Sequence, residues 1–246
     1  MAAAVAHPLG LAVRKDEHRF YLVMTVAIFV TVLVGFSRSF FLRPLFPNWP
    51  SPQEPFFYVH GTVFSLWFML LVTQAALINA GRVSVHRALG ACGAALAVAI
   101  VALGLVGGII AAKRATGFFN VPIPGPQFLI VPVSDMLTFG TLVGFAIARR
   151  NDAQTHKRLM LLASIITLTA AFARWPGVYG TGVIVYFLLN DLFLVPLVLW
   201  DRRTRGRLHP ATLWGGGWLL LSQPVRLALS GTSVWLSTAH WLTTLL

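Results

Sequence analysis

Charge is scarce in this chain of 246 residues: Asp, Glu, Lys and Arg make up 11% of it, and only seven residues are acidic. A soluble domain carries about 25% charged residues to cover its surface, so this composition excludes one. Cysteine is nearly absent. Cys92 stands alone in an apolar stretch, which rules out an intrachain disulfide and a cysteine-based metal cluster. The spacings HExxH and HxxxH do not occur, so a metal site has no support from motif. Alternating short strands are missing as well, which disfavours a β-barrel. Strong internal repeats are lacking, and an inverted-repeat transporter gains no support from them.

What is present in quantity is apolar. Hydrophobic residues make up 57% of the chain and the mean hydropathy is +0.77. Several separate runs approach or exceed the roughly 20 residues that a helix needs to cross a hydrocarbon layer. The pattern predicts an all-α, polytopic transmembrane helical bundle of about seven spans, near 20–36, 59–79, 88–111, 127–148, 158–174, 181–200 and 211–230. The run Phe20 to Phe36 follows Arg14, Lys15 and Arg19, and without a small-x-small cleavage site behind it reads as an uncleaved first span. Residues 1–246 form one domain on this reading, with 231–246 either extending the last helix or lying in the interface, where Trp235, His240 and Trp241 suit a headgroup level. Most tryptophans fall near span ends and read as an aromatic belt. Proline-rich breakers separate the runs, at Pro44 to Pro55, at Pro122 to Pro126 and at Trp175-Pro176-Gly177.

The net charge of +12 comes from basic residues between the runs rather than along one stripe, so membrane lipids are the expected partners and nucleic acid is not. With the N-terminus inside, the inner segments hold 13 of the 19 Lys and Arg residues and the outer loops hold 4. That excess predicts an internal N-terminus and an external C-terminus.

Four charged residues fall within or at the end of spans: Asp135, Arg174, Asp191 and Arg226. Each costs about 2.5–3.5 kcal/mol on insertion scales unless it finds a partner. At about 1.5 Å of rise per residue, Asp135, Arg174, Asp191, Arg226 and His60 share the outer half of the bundle. One reading is a polar pocket opening outward, in which His60 and Asp135 are a proton-transfer pair or metal ligands and the arginines hold an anion. The other is two neutralising Asp and Arg pairs that fix packing.

A second constellation sits at the inner face. His86 opens the third span and His156 the fifth, at the same depth, as the two axial imidazoles of one haem require. Gly90 and Gly93 leave space there or permit close helix packing. The competing reading is an interfacial histidine beside Arg or Lys touching lipid phosphate. Gln74 approaches this cluster along the second span. His7, His18 and His209 sit in polar or terminal stretches and read as solvated.

The strings His60 to Trp67, His86-Arg87-Ala88-Leu89-Gly90, His156 to Ala163 and Ser222 to Leu227 resemble a widespread family of uncharacterised bacterial multi-pass membrane proteins. The resemblance implies the bacterial inner (cell) membrane and brings no activity with it. A fainter similarity is to cytochrome b561-type electron carriers, in which histidines on successive helices hold two haems; it implies haem b between His86 and His156. His60 departs from that pattern, because Asp135 stands where a partner histidine would. Three functional classes follow: a haem protein for electron transfer, a membrane enzyme or transporter using the outer pocket, and a structural or partner-binding membrane protein.

Overall fold

The computed structural model describes residues 8–51, 54–118 and 121–246, with side chains from Lys15 onward. These residues are helical without a strand among them. Helix α1 (Pro8–Gly35) buries Tyr21, Met24, Ile28 and Val32, three or four residues apart, while Val23, Val26, Val30 and Leu33 of the same helix are exposed. A helix that is apolar on its exposed face as well as its buried one is built for lipid. The long helices α2 (Pro55–Asn79) and α3 (Val83–Lys113) follow, joined by a short turn in which Gly81 takes a positive φ. Helices α4 (Gly125–Phe128) and α5 (Ile130–Ala148) run as one body.

The next body is broken. Helix α6 (Ala153–Ile166) starts on Asp152, whose carboxylate accepts from the Gln154 and Thr155 amides and from the Thr155 hydroxyl. Those bonds hold the Asp152 carboxyl below the usual range. It stops where the Thr167 hydroxyl bonds back to the Ser164 carbonyl, before α7 (Thr169–Phe172) resumes. Helices α8 (Val183–Asp191) and α9 (Leu194–Arg205) form another broken body. Pro196 accounts for that break, since it lacks an N–H and crowds the carbonyl four residues before it. Helix α10 (Pro210–Ser230) contains Pro224, and α11 (Ser233–Thr244) ends the chain as a separate short helix lying on α3 and α4.

Five of these bodies are long and apolar enough to cross a membrane: Lys15–Gly35, Pro55–Asn79, Val83–Lys113, Gly125–Ala148 and Val183–Arg205. The two further expected spans, near 158–174 and 211–230, do not reach that standard. The first is split at Thr167 and Leu168, and the second is diluted by Gln223, Pro224 and Arg226. Both lie in the same bundle: α10 packs on α5 and α6, and α7 packs on α1 and α8. The α1 and α7 backbones approach so closely that a Cβ on Gly35 would collide with the Ala171 carbonyl oxygen.

Short turns at 80–82, 149–152 and 206–209 gather at one end of the bundle, here the basic end, and the long proline-containing loops gather at the other. At the basic end, the buried Arg158 donates through Nε and Nη2 to Asp201 Oδ1, at 3.1 and 2.5 Å, and both side chains are 0% exposed. Its Nη1 donates to the Gln154 side chain and carbonyl, while Lys157 pairs with Glu17 of α1 at 2.6 Å. Asp201 Oδ2 accepts from the His209 backbone amide at 2.9 Å. His209 is therefore buried rather than solvated: its Nδ1 accepts from the Ala211 amide and caps α10. His18 is half-buried, and His7 lies outside the described residues. Trp67 departs from the aromatic belt too, being buried with its indole N–H donating to the Ser164 hydroxyl.

Removing one member of a buried ion pair strands the other charge, at a cost of about 3–5 kcal/mol, whereas losing an exposed helix cap costs about 1 kcal/mol. In detergent, Asp201→Ala is expected to lower the unfolding temperature several times as far as Asp152→Ala. Equal shifts would show that the pair contributes little.

Candidate functional site

A cavity of about 240 Å³ opens among α1, α2, α3, α5 and α7 at the proline-rich end. Its walls are mostly apolar and rich in phenylalanine, among them Phe36, Phe40, Phe57, Phe64, Phe68, Phe118 and Phe128. The polar groups that reach it include His60, Arg114, Asp135, Thr169, Arg174 and Tyr186. An apolar pocket with a few convergent polar groups is the usual form of a small-molecule site.

His60 is placed from α2 against α3. Its Nδ1 lies 3.2 Å from the Leu103 carbonyl oxygen, and its ring stacks on Phe64 with centroids 4.3 Å apart. A carbonyl only accepts, so Nδ1 carries the proton and Nε2 is left for another partner. The approach depends on Gly107, where a Cβ would stand 3.2 Å from His60 Nδ1. Arg114 is engaged at the rim, bonded to Glu54 at 2.8 Å and lying over the Phe57 ring at 4.5 Å.

Asp135 and Arg226 form a buried ion pair across α5 and α10. The same guanidinium nitrogen reaches the Ser134 hydroxyl at 3.2 Å, and the guanidinium carbon lies 4.7 Å from the Phe187 ring centre. Asp191 does not join an arginine. It accepts from the Gln223 amide at 2.7 Å, one turn before Arg226 on α10. Arg174 donates to the Ala170 carbonyl at 2.8 Å and packs over the Phe36 ring at 5.0 Å. Among the described residues it has no carboxylate partner. Nearby in the 173–182 loop, burial pushes the Tyr179 phenol up, and the Arg174 charge acts in the opposite direction. The expectation of two matched Asp and Arg pairs thus resolves into one pair, with Arg174 and Asp191 held separately by neutral groups.

At the basic end the His86 and His156 rings approach to 6.4 Å between centroids, with their planes at 89°. His156 Nδ1 lies 2.8 Å from the Ala146 carbonyl oxygen at the C-terminal end of α5, so it closes the turn between α5 and α6. His86 Nδ1 is buried without a partner. Gln74 donates its side-chain amide to the backbone carbonyl of His86, and its own backbone is a hydrogen-bond partner of the His86 ring. Groups of three or more His, Cys, Asp or Glu able to hold a metal are absent among the described residues.

The residues that sequence reasoning missed are Arg158 and Asp201. Arg158 stands in a basic cluster and reads there as a topology signal. The available clue is Asp201, a lone acid heading the run Asp201 to Arg207 with four arginines. Comparison with protein-family models, curated proteins and solved structures finds no match.

Direct contact between Asp135 and Arg226 implies coupling of about 0.5–3 kcal/mol in a double-mutant cycle. Asp135→Asn and Arg226→Gln should each destabilise the protein more than their combination does. Thermal unfolding of the four variants measures this, and additive losses would argue against the pair.

Proposed function

We propose that this is a seven-span membrane protein that binds an anionic amphiphile in the cavity at its proline-rich end, with Arg174 and His60 receiving the headgroup and the aromatic wall receiving the apolar body. The observation that carries the proposal is Arg174: a guanidinium on the cavity wall with no carboxylate partner among the described residues, while Arg226 is neutralised by Asp135. An intramembrane cation is costly without a counter-charge, so a ligand that brings one is bound with its charge already matched. The seven-span count is supported by α6 with α7, and by α10, running in the same bundle as the five apolar helices. The excess of basic residues at the short-turn end supports a reading in which that end and the N-terminus face the cytoplasm and the cavity opens at the external face of a bacterial inner membrane.

Oleate and oleyl alcohol share an apolar tail and differ in headgroup charge. Oleate is expected to raise the unfolding temperature of the detergent-purified protein, by up to about 2.7 kcal/mol of stabilisation at 100 times its Kd. The alcohol should do so weakly, and Arg174→Gln should remove the difference. Equal effects of the two in both proteins would overturn the reading.

A second reading, haem b held by His86 and His156, is supported by their ring geometry. Two imidazoles bound through nitrogen at about 2.0–2.1 Å to opposite sides of one metal have centroids roughly 6 Å apart. The Ala146 carbonyl fixes His156 with Nε2 free, as a ligand's outer partner does. These residues fit such a group, which when bound would supply one-electron transfer. Purified protein, or protein given haem, should then absorb in the Soret region, and either His86→Ala or His156→Ala should abolish the band. A colourless protein that takes up no added haem would remove this reading.

A further inference from the structure

Asp191 is the carboxylate in the spanning part of the bundle that no cation neutralises among the described residues. The elements around it supply few charges. On α10, the Gln223 amide donates to Asp191 Oδ1 at 2.7 Å, and Arg226 one turn on, which pairs through Nη1 with Asp135 of α5, is near enough for its charge to act on Asp191 without forming an ion pair with it. On α7, Thr169 is a neutral hydroxyl; the charged residues of α9, Asp201, Arg202, Arg203 and Arg205, begin ten residues later at the basic end. In the 173–182 loop, Arg174 is turned to the Ala170 carbonyl and the Phe36 ring, with Tyr179 beside it. Ionised, Asp191 would share the Arg226 charge with Asp135, leaving two carboxylates to one guanidinium in low dielectric; protonated, it is neutral and keeps its bond from Gln223.

The backbone around Asp191 is also unusual. It is the last residue of α8, where that helix breaks, and the neighbouring body breaks between α6 and α7. Next to it, Asn190 is 0% exposed and its side-chain amide has no partner beyond the adjacent Asp191 carboxylate, and the Thr169 hydroxyl is buried without a partner on α7, which packs against α8. Unpartnered buried donors and acceptors are rare and point to groups that share water or exchange a hydrogen. Thr169 and Tyr186 line the cavity, and Asn190 lies one helical turn beyond Tyr186. A polar seam therefore leads from the cavity to the helix break.

We propose that Asp191 is a proton-binding site within the membrane-spanning bundle, loaded and emptied through the cavity by way of Thr169 and Asn190. The carboxylate takes one proton on the oxygen that Gln223 leaves free, and releases it by the same route. This site does not depend on the cavity's binding an amphiphile, since its occupant is a proton.

The test uses the full-length protein in liposomes and dicyclohexylcarbodiimide, an apolar reagent that reaches carboxyls from the lipid side. The exposed neighbours Leu188 and Leu192 put Asp191 at that boundary. A protonated carboxyl transfers its proton to a carbodiimide nitrogen as its oxygen attacks the central carbon, and the O-acylisourea so formed rearranges to a stable N-acylurea. Peptide mass spectrometry should find the adduct on Asp191, falling about tenfold per pH unit once the carboxyl has titrated. Replacing choline chloride with sodium chloride should leave it unchanged, and Asp135, engaged by Arg226, should stay unlabelled. Asp191→Glu should keep the adduct and Asp191→Asn lose it; if the latter does not fold, the wild-type pH profile decides. No adduct from about pH 5 to about pH 9, or labelling indifferent to pH, would overturn the assignment. Protection by sodium would overturn it too, making the occupant a metal cation.

Discussion

Charge placed inside a helical bundle in lipid has to be matched within the bundle, because hydrocarbon offers neither water nor counter-ions. Two guanidinium–carboxylate pairs meet that requirement at opposite ends. Arg158 with Asp201 ties α6 to α9, and through the His209 amide to the start of α10. Asp135 with Arg226 ties α5 to the far part of the same α10. Helix α10, too polar to rank among the apolar spans, is thus held at its start by a backbone hydrogen bond to Asp201 and farther along by the Arg226 ion pair. Replacing such pairs by apolar side chains is often tolerated, so their contribution lies as much in register as in net stability.

Once those pairs are made, the groups left over are the informative ones. Arg174 lies on the cavity wall against a carbonyl and a ring, and Asp191 lies at a helix break against side-chain amides, neither in an ion pair among the described residues. Phe118 and Phe128 pack edge to face on the cavity wall, with centroids 4.9 Å apart and planes at 61°. Gly107 lets His60 stand against α3 instead of filling the space. The unpaired charges and the empty volume lie at the same end, which is why the ligand and proton readings share one cavity.

Three histidines show how one residue type is set to different work by a single backbone neighbour. His60 and His156 each have Nδ1 against a carbonyl, of Leu103 and Ala146, and each has its other nitrogen free. His209 has Nδ1 accepting from the Ala211 amide and acts as a helix cap. Its burial and the nearby Arg158 and Arg205 charges hold its pKa below the ordinary histidine range. Its neutral form is thus favoured in the folded state, and stability from this source is present above about pH 6.5 and declines as pH falls below it.

Composition and hydropathy by themselves determined that the chain is helical and suited to a membrane, because lipid demands long apolar helices whatever their arrangement. Residue type and depth also singled out Asp135, Arg226, Arg174 and Asp191, since a charge in an apolar run is conspicuous wherever its helix packs. Which acid meets which arginine was decided only in three dimensions: rotation about each helix axis selects the partner, and neighbouring runs do not specify rotation. The same reason hid Arg158 and Asp201, whose basic and polar surroundings look solvated in one dimension but close on each other across α6 and α9. The breaks at Thr167 and near Pro196 likewise shortened helices that hydropathy alone treats as continuous, because a hydroxyl or a missing N–H acts on backbone bonds that an average over side chains does not register.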